Sequence, residues 1–155
     1  MNEQYVKEKM KWYAEAKGLY EAFAEQVLTI LQALIEQELP DVKIASCSFR
    51  AKKPESLQKK LRKDKYNKDS EITDLAGVRI ITYSKRDISC ISEIIKRSFE
   101  IDIPNSVNKT LTLGEDRVGY RGDHYVILFN SERLRMPENQ RFRNLKCEVQ
   151  VTSLI

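Results

Sequence analysis

Two acidic residues and two groups of cations carry the chemistry that this sequence could do. Asp74 ends a polar run, and Val78-Arg79-Ile80-Ile81 begins an apolar one, the pattern of a loop entering a buried strand. A carboxylate there stands at a rigid strand edge, where a ligating group is well held. Arg79 lies inside the same strand, and an arginine among apolar neighbours is costly without a partner. Taken alone, these residues favour a buried Asp74–Arg79 pair that only holds the strand, over a metal–phosphate site. Glu148 and Gln150 alternate with Cys147, Val149 and Val151, so the two polar side chains share one strand face.

Nine lysines or arginines fall between Arg50 and Lys68, around Pro54 and Glu55, which suit the first turn of a helix. Such a run is ordinarily a solvated face. The sharper reading is a phosphate cradle at a strand-to-helix junction, where cations join helix N-terminal amides. Gly119-Tyr120-Arg121-Gly122-Asp123-His124 opens another strand. Tyr120 offers a ring on which a base stacks at roughly 1–3 kcal/mol, and His124 is the single histidine. A lone histidine is ordinarily structural; Tyr120 four positions before it raises a ligand contact as the minority reading. If the Asp74 and Glu148 strands are neighbours, the two acids can share Mg²⁺, whose shell takes one or two carboxylates, water and substrate phosphates.

The elements that must position these groups follow from periodicity. Val6, Met10, Tyr13, Tyr20, Phe23, Val27, Leu31 and Leu34 recur at helical spacing, predicting one long helix or two collinear ones over 2–38, stopped before Pro40. Val42 to Phe49 reads as a strand with Val42, Ile44, Ser46 and Ser48 on one face and Lys43, Ala45, Cys47 and Phe49 on the other. A helix from Pro54, the Asp74 strand, a helix over Arg86 to Phe99 and a short strand at Ile101-Asp102-Ile103 come next. Residues 104–118 are loop-like, and strands His124 to Phe129 and Leu145 to Val151 are joined by an Arg-rich turn through Pro137. The layout is α+β with a mixed sheet in one domain, 1–155. Apolar residues are 41% and charged residues 32%, which suits a globular chain, and the net charge of +4 fits an anionic ligand without requiring nucleic acid. Cys47, Cys90 and Cys147 are scattered, against a disulfide framework or zinc site and for a reducing cytoplasm. No run is long enough to span a membrane.

Four motifs in order make the chain resemble the synthetase domain of RelA/SpoT proteins, and the small alarmone synthetases in particular. They are Arg50-x-Lys52-x-Pro54-x-Ser56 with Lys60, Asp74-x-x-Gly77-x-Arg79-Ile80, Gly119-Tyr120 with His124, and Glu148-Val149-Gln150. The resemblance runs from about Ser48 to Ile155 and implies a nucleotidyltransferase-like fold. It implies an enzyme that moves pyrophosphate from ATP to the ribose 3′-hydroxyl of GDP or GTP, giving (p)ppGpp and AMP. The roles it implies are Arg50 and Arg79 around adenine and Lys52, Ser56 and Lys60 on ATP phosphates. Asp74 and Glu148 would bind Mg²⁺, with Glu148 also the base. Tyr120 would stack on guanine, with Arg121, His124 and Gln150 near the acceptor nucleotide. With the family in view, the functional reading of Asp74 and Arg79 replaces the structural one.

The chain departs from the family at Gly122-Asp123, where a serine is usual and an acid beside an anion is unexpected, and at Thr152-Ser153, where the family carries Arg-Thr. Family domains continue into a further helix. The resemblance therefore implies a catalytic core over 42–155 that lacks its C-terminal part and binds ATP–Mg²⁺ better than it turns over. Two alternatives stay open: a toxin-type relative that pyrophosphorylates the tRNA 3′ end, and a non-catalytic nucleotide-binding module. The sequence leaves a homo-oligomer open.

Overall fold

A computed structural model describes residues 3–63, 71–106 and 122–154. The first element, α1 (Glu3–Glu38), is one uninterrupted helix of 36 residues, about 54 Å long at 1.5 Å per residue. Its buried residues Phe23, Val27, Leu31 and Ile35 recur every fourth position, with Ala24 and Leu28 beside them. This half of α1 lies on a five-stranded sheet. The earlier half turns Val6 and Tyr13 to a second, smaller core with Leu57, Leu61 and Leu75.

The strands are β1 (Ile44–Ala51), β2 (Ala76–Thr82), β3 (Glu100–Ile101), β4 (Gly122–Leu128) and β5 (Cys147–Ser153). Their order in the sheet is β1-β2-β5-β4-β3. The β2–β5 pair is parallel and the other pairs are antiparallel, so the sheet is mixed and the α+β expectation holds. Helix α2 (Pro54–Leu61) follows β1 and α3 (Arg86–Ser98) follows β2. Between β4 and β5, in place of the expected turn, stand α4 (Ser131–Leu134) and a 3₁₀ segment, Pro137–Phe142. Asn130 caps α4 by accepting from the Arg133 amide. The expected short strand at 101–103 is displaced: β3 ends at Ile101, and Pro104 sits in a 3₁₀ turn over Ile103–Asn105.

Helices α1 and α3 cover one face of the sheet, against Val78, Ile80, Tyr125, Ile127, Val149 and Val151. Strand β1 does not alternate as its sequence suggests. Its register against β2 shifts between Ile44 and Ser46, a bulge that reverses side-chain parity. Ile44 and Cys47, expected on opposite faces, therefore both pack against the core.

Candidate functional site

The face of the sheet turned away from α1 and α3 collects the polar side chains, and strand register alone assembles them. One cross-strand row runs Ser48, Arg79, Gln150, His124 over β1, β2, β5 and β4. The next row runs Arg50, Gly77, Glu148, Val126. Strands lie about 4.8 Å apart, so each row holds its side chains within reach of one another. A cleft of about 160 Å³ opens over Ser48, Arg50, Gly77, Arg79, Glu148 and Gln150. A larger groove of about 380 Å³ lies between the end of α1 and β1, but it is mainly apolar and holds none of these residues.

Within the cleft the hydrogen bonds run across the strands. Arg79 Nε donates to Gln150 Oε1 at 3.2 Å, and Gln150 Nε2 donates to Glu148 Oε1 at 3.0 Å. His124 Nδ1 stands 3.6 Å from the same Glu148 oxygen. The Gln150 and His124 contacts are both to Oε1 of Glu148. Arg50 lies across Gly77: a Cβ there would meet Arg50 Cγ and Cζ at 3.7 Å.

A second cluster stands where β1 ends and β2 begins. Lys52 Nζ donates to Asp74 Oδ2 at 2.8 Å and Lys60 Nζ to Asp74 Oδ1 at 3.2 Å. Burial alone would raise the Asp74 pKa; the hydrogen bond from Lys52 and the charges of Lys60 and Lys52 outweigh it and hold the carboxyl below its ordinary value. Asp74 is thus partnered by two lysines, and the Asp74–Arg79 pair that the residues alone suggested is not formed. Arg79 is exposed instead, on the open face.

Lys52 is only 8% exposed. Its backbone is fixed at both ends, the amide donating to Leu75 O at 2.8 Å and the carbonyl accepting from the Tyr13 hydroxyl at 2.6 Å. Burial pushes the Tyr13 phenol up to about 12, so it stays a donor. Tyr13 was legible only as a core position of α1; its polar partner lies far along the chain. Ser56 is exposed in the first turn of α2.

Lys146, immediately before β5, also escaped the sequence reading. It bridges Glu71 Oε1 and Asp102 Oδ2, each at 2.6 Å. Hydrogen bonds from Lys146, then Asn105, hold Asp102 below its ordinary pKa. The bridge ties the segment that leads into Asp74 to the start of β5. Tyr120 and Arg121 lie outside the described residues. Asp123, unexpected beside an anion, is on the opposite face from His124. It is buried against α3, where it accepts from Ser92 Oγ at 2.9 Å and the Tyr125 hydroxyl at 3.3 Å. Gly122 has a packing reason: a Cβ there would stand 2.7 Å from Val151 O.

Residues 49–154 match the family model described as a region found in RelA/SpoT proteins. The chain belongs to the RelA/SpoT family. No curated protein matches it. Several solved structures share the fold of this RelA/SpoT chain. Small alarmone synthetase 2 from Bacillus subtilis has a TM-score of 0.69 at 23% identity, over 92% of this chain and 72% of that one. Small alarmone synthetase 1 from Bacillus subtilis has 0.68 at 21%, over 93% and 71%. A GTP pyrophosphokinase family protein from Streptococcus pneumoniae has 0.67 at 16%, over 93% and 70%. The nucleotidyltransferase-like fold expected from the motifs is thereby shown.

Asp74 and Glu148 offer hard carboxylate oxygens, the donor type that magnesium takes. Both Asp74 oxygens are taken by lysines here, so the fit to the ion that the family implies is one of donor type. No group of three or more metal-ligating side chains occurs among the described residues.

Proposed function

We propose that the chain is a pyrophosphokinase that transfers the β- and γ-phosphates of ATP to the ribose 3′-hydroxyl of GDP or GTP. The observation that carries this reading is the pair of cross-strand rows, which gathers two arginines, a carboxylate, an amide and the histidine on one open face, beside two lysines on a carboxylate. Family membership and related structures support the nucleotides. Small alarmone synthetase 1 from Bacillus subtilis was solved bound to AMPCPP and, separately, to its product pppGpp.

In this reading Arg50 and Arg79 enclose the adenine, using the planar guanidinium faces that stack on aromatic rings. Lys52, Ser56 and Lys60 hold the ATP phosphates. Tyr120 stacks on the acceptor base, with Arg121, His124 and Gln150 about the acceptor nucleotide. Asp74 and Glu148 would hold Mg²⁺, which when bound would supply charge neutralisation for the transferring phosphoryl group. Glu148 takes the proton of the 3′-hydroxyl as the O3′–Pβ bond forms and the bond from Pβ to the α-phosphate oxygen breaks, releasing AMP. Gln150 donates to Oε1 of Glu148, with His124 Nδ1 3.6 Å from the same oxygen.

The test offers the protein labelled ATP with GDP, GTP or tRNA in parallel. Label should move to GDP or GTP, with AMP released. Label on tRNA alone would place the chain with the toxin-type relatives. No transfer to any acceptor, together with nucleotide binding, would make it a non-catalytic module.

A further inference from the structure

We propose that Lys146 is a positioning residue: it sets the place of Asp74 relative to Glu148, and with it the fit of the carboxylate pair to magnesium. The inference rests on the metal role proposed above for the two acids. Glu148 is held by strand pairing, opposite Gly77 on β2 and Val126 on β4. Asp74 is not. The β2–β5 ladder starts at Ala76 and Cys147, after Asp74 has passed, and residues 71–74 have no regular secondary structure. The Asp74 carboxylate is held from the β1–α2 side, by Lys52 and Lys60. Ile72 packs on that side too, against the smaller core that α1 and α2 share. Lys146 joins this lead-in to the strand of Glu148, through Glu71 Oε1 at 2.6 Å.

The two partners of Lys146 are unequal. The Asp102 side chain is 10% exposed and that of Glu71 54% exposed. Asp102 is anchored: its amide donates to Val126 O at 2.8 Å, its carbonyl accepts from Ser106 Oγ at 2.7 Å, and its Oδ2 accepts from Asn105 Nδ2 at 2.8 Å. Ser106 Oγ accepts in turn from the Val126 amide at 2.8 Å. Val126 is the residue that pairs with Glu148 across β4 and β5. The Lys146 ammonium is thereby fixed in the frame of Glu148, and Glu71 is drawn to it. Burial alone would lower the Lys146 pKa; hydrogen bonds to Asp102 and Glu71 outweigh it and raise it, so the ammonium stays charged at neutral pH. Glu71 stands just ahead of Asp74 in the chain, so the bridge limits how far that acid can move from Glu148. Magnesium demands near-ideal octahedral geometry, whereas calcium accepts a flexible shell, so the bridge matters more for magnesium.

Calorimetric titration with a non-hydrolysable ATP analogue, as its magnesium complex, as its calcium complex and alone in EDTA, separates positioning from plain support of the fold. Lys146→Met should weaken the magnesium complex roughly tenfold, weaken the calcium complex less, and leave the metal-free analogue unmoved. Lys146→Arg, whose guanidinium can still span two carboxylates, should restore most of the loss. Glu71→Gln added to Lys146→Met should lose nothing further, because both changes break one link. If a melting curve shows that Lys146→Met does not fold, Glu71→Gln alone, at the more exposed end of the bridge, takes the same titrations. A loss shared equally by all three ligands, or no loss, in a folded variant whose parent prefers the magnesium complex overturns this inference and leaves the functional reading standing. A parent that binds the magnesium complex no more tightly than the metal-free analogue overturns the metal pair of that reading, and this inference with it.

Discussion

Glu148 shows how a strand residue acquires partners from other strands. Its parity on β5 was legible from the alternation with Val149 and Val151. Its partners were not, because Gln150 and His124 reach it through register and not through sequence proximity. In the proposed role of general base, Glu148 should contribute about 10²–10⁴-fold to kcat. Glu148→Gln should lose that factor in a steady-state assay while a thermal melt moves little, since the side chain is a quarter exposed. Asp74 makes a different prediction. Its folded-state pKa is depressed, so its contribution to stability is complete above the unfolded value of roughly 4. That contribution is lost as pH falls through the folded value. Asp74→Asn should therefore lower stability at neutral pH by about 1–3 kcal/mol and flatten the loss of Tm on acidification. A variant with the parent's acid slope would show that another group governs it.

At the scale of elements, the strands and helices were largely legible because their apolar spacing is strong, and the errors have physical causes. The β1 bulge places an extra residue in one strand, and no periodicity reports where parity flips. Pro104 and Pro137 were read as loop and turn punctuation, yet each opens a 3₁₀ segment. The two glycines on the site strands also differ. Gly122→Ala drives a Cβ to within 2.7 Å of backbone at Val151 and 2.8 Å of Thr152 Cγ2. It should cost about 1–3 kcal/mol, seen as a lower denaturation midpoint at unchanged m-value. Gly77→Ala meets only Arg50 side-chain atoms at ordinary contact distance, so its midpoint should hold, and any loss should appear in the KM for ATP. Tyr13→Phe should cost about 1 kcal/mol through the Lys52 carbonyl that loses its donor. That hydroxyl links α1, which carries no motif, to the Lys52–Asp74–Lys60 cluster.

For the whole molecule, the order β1-β2-β5-β4-β3 brings the motifs together. The Asp74 motif and the Glu148 motif lie far apart in sequence, and β5 inserts beside β2 in parallel, pairing Gly77 with Glu148. Sequence supplied the residues and the mixed sheet; this adjacency was only a condition on the sharing of an ion, since a parallel crossover leaves no local signal. The Asp74–Arg79 pair that the residues alone suggested is not formed, because the partners that Asp74 takes, Lys52 and Lys60, come from β1's exit and α2. The central claim is that this assembled face moves a pyrophosphate group as a unit. Phosphorus NMR of the protein with ATP, GDP and Mg²⁺ follows every phosphate at once. The account predicts AMP and a 3′-pyrophosphorylated guanosine nucleotide appearing in equal amounts, and neither with Glu148→Gln. Formation of ADP or free phosphate in place of AMP would contradict it.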